Sequence, residues 1–130
     1  MKQFFTLILS LILLSSAVMA AETPQLSQQQ LLSMQSAKAT SAFVVLDVRS
    51  AEEYAQQHIS GAINISHTDL ADKLAILNQY KEATVVVYCR SGRRAAFAEN
   101  ILMSNGFNNV KHLTGDMNGW LAAELPTVSQ

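Results

Sequence analysis

Residues 84–89, Thr-Val-Val-Val-Tyr-Cys, form an apolar, β-branched run with no polar alternation. Such a run suits a strand covered on both faces, and strands of that kind belong to parallel sheets flanked by helices. A second run, Ala-Phe-Val-Val-Leu-Asp-Val at 42–48, has the same character. Shorter candidates are residues 61–65 after the turn residue Gly61, Asn-Val-Lys-His-Leu at 109–113, and a lead-in or brief first strand at 21–26.

Helical segments fall between these runs. Ser27 with Gln30, and Ser50 with Glu53, carry capping-box spacing and open helices over 28–39 and from 51 onward. Ser66, with Asp69 in its first turn, opens another, in which Leu70, Leu74 and Leu77 recur at helical intervals. A fourth helix runs from about Arg94 to Ser104 and stops at Asn105-Gly106, and a last short one covers 117–124. The alternation predicts an α/β fold, with a mostly parallel central sheet between helical layers.

The chain opens with Lys2, an apolar run from Phe4 to Leu14, and small residues up to Ala20. The apolar run is too short to span a bilayer, and the pattern reads as a signal peptide over residues 1–20, cleaved after Ala20. Export to the periplasm or the exterior is the expectation, without stable membrane association afterwards. Cleavage leaves 110 of 130 residues, with 8 basic and 10 acidic side chains and a net charge of −2. That suits one domain and argues against nucleic acid as a partner. The expected organisation is a signal peptide, a lead-in and first helix over 21–37, and the main domain over 38–128.

Cys89 is the single cysteine, so no internal disulfide and no two-thiol redox cycle is available. Arg90, Arg93 and Arg94 follow within five residues, and Gly92 between them permits a tight turn into the next helix. Cations, a helix N-terminus and loop amides each favour a thiolate. A strand end followed by five polar or glycine residues is poorly suited to burial, and Cys89 is expected to be a reactive nucleophile rather than a core residue. Arg94 is expected to face the loop, with one or two of the arginines on the surface. His58, His67 and His112 lack metal-ligand spacing and read as surface or structural residues; no metal or cofactor is expected. Trp120 reads as core.

Cysteine-dependent phosphatases and arsenate reductases place five residues between Cys and Arg. Here four separate Cys89 from Arg94, Ala95 stands at the longer spacing, and Tyr88 occupies the position before the cysteine where those enzymes usually have His. Three stretches instead resemble the single-domain rhodaneses, thiosulfate sulfurtransferases of the rhodanese-homology superfamily. These are Leu-Asp-Val-Arg-Ser-Ala-Glu-Glu-Tyr with the following His-Ile-Ser-Gly-Ala (46–65), the Cys-Arg-Ser-Gly-Arg-Arg loop (89–94), and Val-Lys-His-Leu-Thr-Gly-Asp-Met-Asn-Gly-Trp (110–120).

The resemblance covers about residues 38–126 and implies the rhodanese-like three-layer fold. It also implies a persulfide on Cys89, formed from a small anionic donor such as thiosulfate and passed to a thiol or cyanide. Arg90, Ser91, Gly92, Arg93 and Arg94 would bind the donor through amides and side chains. Asp47 and Arg49 read as an internal pair bracing the site, with Glu53 nearby. A sulfur carrier or anion-binding interaction module with little turnover is the alternative from another class. Asp116 stands where the family commonly has a second Gly, and Gln57 where a Gly often precedes the His, leaving local turn geometry at both points for the structure to decide.

Overall fold

The computed structural model describes residues 22–37 and 42–130. The expected signal peptide, and the junction at 38–41 where the first helix was expected to end, lie outside them.

Five strands, β1 (Gln25–Leu26), β2 (Phe43–Asp47), β3 (Ile63–Asn64), β4 (Thr84–Tyr88) and β5 (Asn109–Leu113), form one sheet in the order β1-β5-β4-β2-β3, with every pair parallel. Among the described residues, four α-helices connect or flank them: α1 (Gln28–Ser36), α2 (Ala51–Gln56), α3 (Arg93–Ser104) and α4 (Asp116–Ala122). The β-branched runs of β2 and β4 pair with each other over their whole length, from Phe43 opposite Thr84 to Asp47 opposite Tyr88.

Alternate residues of these strands enter two cores, one on each face. Val44, Leu46, Val85 and Val87 pack on α3 through Ala95, Ala98 and Leu102. Val45, Val86 and Tyr88 pack on Leu31 of α1 and on Met117 and Trp120 of α4. Burying side chains of this size contributes about 1.5–3 kcal/mol each, which is how a chain without disulfides holds three layers together. Trp120 is fully buried and donates its indole N–H to the Pro126 carbonyl at 2.9 Å, so its core assignment holds.

Both capping boxes form. The Ser27 hydroxyl accepts from the Gln30 amide while Gln30 reaches back to the Ser27 amide, and Ser50 and Glu53 do the same. Helix α1 ends at Ser36, with Ala37 already extended.

The helix expected after Ser66 is not α-helical. It is two 3-10 segments, Leu70–Asp72 and Leu74–Tyr80, separated at Lys73 by φ −118°. The Ser66 hydroxyl lies 3.0 Å from that of Thr68, and Asp69 makes no side-chain cap, so neither nucleates an α-turn. Leu70 and Leu77 are nonetheless buried as anticipated, because their spacing sets which side faces the core without distinguishing the 3.0- from the 3.6-residue turn.

Candidate active site

Strand order fixes where a site can form. The connection leaving β2 runs outward to β3 through α2, and the one leaving β4 runs the other way to β5 through α3. The carboxyl ends of β2 and β4 therefore border the crevice at which the chain's path diverges, the usual ligand position in open parallel sheets. Asp47 and Arg49 come from one end and Cys89 from the other.

Beyond β4 the chain turns sharply. Gly92 adopts φ +115°, a left-handed value that any Cβ would strain, and initiates α3. This turn directs the Gly92 amide onto the Cys89 sulfur, Sγ accepting at 3.0 Å. Of the loop amides, Gly92's is the one that donates to the thiol. Arg90, Ser91 and Arg93 are exposed, and Arg94 is half-buried.

Cys89 itself is only 1% exposed, which corrects the expectation that this strand end resists burial. The cover comes from α4, distant in sequence. The Met117 amide donates to the Cys89 carbonyl (2.9 Å), the Asn118 amide to the Arg90 carbonyl (3.1 Å), and Asp116 accepts from the Cys89 amide (3.0 Å). Cys89 also belongs to the same buried cluster as Ala95 and Ala98 of α3. A polar cavity of about 240 Å³ opens beside the loop, lined by Arg49, Glu53, Gln57, Arg90, Met117 and Asn118.

Arg94, expected to face the loop, has its guanidinium engaged by an acid. It is held in a fork by Glu53, at 2.6 Å to Oε1 and 3.0 Å to Oε2. Glu53 is placed by the start of α2, where it also closes the capping box on Ser50. The Arg94 hydrogen bonds hold the Glu53 carboxyl down at about 2, with help from Ser50 against the opposing effect of burial. The same fork raises Arg94, to which charge on Cys89 adds. Arg90 and Arg93 form no ion pair among the described residues.

Asp47 and Arg49 form an internal pair, and Glu53 is not its partner. Arg49 Nη2 lies 2.7 Å from Asp47 Oδ2, Nε lies 3.0 Å from Oδ1, and both side chains are buried. Arg49 also donates to the Gln57 carbonyl at 2.8 Å. Gln57 is extended at φ −167°, so the missing glycine there is no obstacle. Tyr88 is fully buried below Arg49, its ring centroid 5.7 Å from the guanidinium carbon, and its hydroxyl accepts from the Ile59 amide. It packs beneath the site, and burial raises its pKa.

One cluster escaped the sequence reading. His112 of β5 bridges two buried carboxylates, with Nδ1 2.6 Å from Glu99 and Nε2 2.9 Å from Asp116. The available signal was Glu99, an acid on the same helical stripe as Ala95, Ala98 and Leu102. Hydrogen bonds to Asp116 and then Glu99 raise the His112 pKa from 6.5 to about 10, against the lowering effect of burial. Because the folded value is the higher one, the stability from this bridge is complete below about 6.5 and lost as pH climbs through about 10. The urea midpoint should fall across that interval, and His112→Gln should flatten the fall; an unchanged slope in the variant would contradict the bridge.

Among known proteins, the model of the Rhodanese-like domain matches residues 27–123. Thiosulfate sulfurtransferase PspE of Escherichia coli K12 is 39% identical over 70 residues, 54% of this chain and 67% of that protein. Thiosulfate sulfurtransferase GlpE of Pseudomonas entomophila is 31% identical over 100 residues, 77% of this chain and 86% of its own. The crystal structure of the Alr3790 protein from Anabaena superposes with a TM-score of 0.72 at 31% identity, covering 81% of this chain and 82% of that one. With the family model spanning most of the chain and the all-parallel sheet ending in the Cys89 loop, this protein belongs to the rhodanese-like domain family.

Proposed function

We propose that the protein is a sulfurtransferase that carries sulfane sulfur on Cys89 from thiosulfate, or a similar small anion, to a thiophilic acceptor. The observation that carries this reading is the Gly92 amide on Cys89 Sγ, in a loop with four residues between Cys89 and Arg94. The names of the PspE and GlpE relatives support the same donor.

The Cys89 thiolate attacks the outer sulfur of thiosulfate; the S–S bond to the sulfonyl group breaks, its electron pair leaves with sulfite, and Cys89 retains a persulfide. An acceptor such as cyanide then attacks the outer persulfide sulfur, leaves as thiocyanate, and returns the Cys89 thiolate. Splitting the reaction this way makes it covalent, two-step catalysis with ping-pong kinetics. The Gly92 amide stabilises the anionic sulfur in both halves. Arg90, on the rim of the polar cavity and without an ion-pair partner among the described residues, meets the donor's sulfonate. Arg94, braced by Glu53, supplies fixed positive charge near the sulfur.

Export belongs to this reading, supported by Lys2, the apolar run Phe4–Leu14 and the small residues before Ala21. Turnover of thiosulfate with cyanide, measured beside an aryl phosphate, tests the function. Thiocyanate formation without phosphate release is expected; phosphate release alone would overturn it.

A further inference from the structure

Asp116 occupies a backbone position that suits glycine, at φ +54°, and yet both of its carboxylate oxygens are engaged. Oδ1 accepts from the backbone amide of Cys89 at 3.0 Å, and Oδ2 meets His112 Nε2 at 2.9 Å. His112 is anchored in turn by Glu99, on the helix that begins at Gly92. The carboxylate also lies against the turn itself, since a Cβ added to Gly92 would come within 3.2 Å of Asp116 Oδ2 and 3.7 Å of His112 Nε2. Asp116 is 4% exposed and Glu99 is 2% exposed, so neither is a solvated surface acid. One buried carboxylate thus bonds Cys89, which bears Sγ, and lies beside Gly92, whose amide donates to that sulfur, filling the space a Cβ at Gly92 would need.

We propose that Asp116, clamped by His112 and Glu99, is a positioning residue that holds the Cys89 amide and the Gly92 turn in register for sulfur transfer. Asp and Asn are the residues other than glycine that most readily accept a left-handed backbone, so the acid is compatible with this turn. A side chain that merely filled the turn would leave the Cys89 amide without its acceptor. His112, in hydrogen-bond contact with both acids and raised to about 10, stays charged and keeps the clamp closed at neutral pH.

The kinetic half of the test rests on the sulfurtransferase reading; the exchange half does not. Asp116→Gly removes the carboxylate and suits the backbone angle, so a mere turn filler predicts full activity. A positioning residue predicts that kcat for thiosulfate and cyanide falls about tenfold or more while the KM for thiosulfate stays within about twofold, because sulfur alignment rather than donor binding is lost. Asp116→Asn keeps an acceptor for the Cys89 amide and should recover kcat to within about threefold of wild type.

Amide hydrogen exchange at Cys89, followed by NMR, reads the bond directly. It should accelerate about tenfold or more in Asp116→Gly and stay slow in Asp116→Asn. Wild-type kcat in Asp116→Gly, an Asp116→Asn variant as slow as Asp116→Gly, or unchanged exchange would each overturn the proposal. If the wild-type protein transfers no sulfur, the functional reading fails and exchange alone decides the clamp. Should Asp116→Gly not fold, His112→Gln, which removes the charged imidazole between the two carboxylates, takes its place: a lower kcat at unchanged KM supports the clamp, and wild-type kcat overturns it.

Discussion

Cys89→Ala should lower thiosulfate–cyanide turnover by about three orders of magnitude or more, since no other cysteine exists to take over covalent transfer. The variant should remain folded. Cys89 is held mainly by its backbone, which donates to Asp116 and accepts from Met117, and alanine keeps both bonds. Losing the buried sulfur, and leaving the Gly92 amide without its acceptor, costs about 1–3 kcal/mol. Steady-state thiocyanate formation, with circular dichroism to verify the fold, checks this. A variant that kept a tenth of the activity would mean that the sulfur travels by another route.

The largest effect on stability is expected at Arg49→Met, which should cost about 3–5 kcal/mol by leaving the buried Asp47 carboxylate without its cation. Methionine keeps much of the apolar stem over Tyr88 and loses the two-point contact with Asp47 and the bond to the Gln57 carbonyl. Replacing both members of the pair with apolar residues should cost less than the single change, because no unpaired charge is then buried. Urea unfolding of the two variants provides the comparison. A single-variant loss below about 1 kcal/mol would show that the pair does not brace the end of β2.

The features legible in the sequence are those decided within one segment. The β-branched run at 84–88 announced a strand covered on both faces, and Ser27 and Ser50 announced helix starts through bonds made three residues away. The Cys89–Arg94 spacing likewise lies within a single loop. What stayed hidden depends on elements meeting in space. Glu53 reaches Arg94 across 41 positions, and Cys89 is buried because α4, 27 positions on, closes over it. The Glu99–His112–Asp116 bridge needs a helix, a strand and a second helix to converge. Asp116, in place of a common glycine, left the local turn geometry open, and the structure makes it the acceptor for the Cys89 amide.

The leucines at 70, 74 and 77 are a different kind of miss. Their pattern reported the buried side correctly and carried no information on the hydrogen-bond period, which the Ser66–Thr68 contact and the break at Lys73 decide.

The central claim is that Cys89 holds a sulfur atom during the reaction. Intact-mass analysis of the reduced protein, after thiosulfate and removal of excess donor, reads this directly. The account predicts a gain of one sulfur atom, lost again on adding cyanide and absent from Cys89→Ala. An unchanged mass on protein whose Cys89 is demonstrably reduced would contradict it.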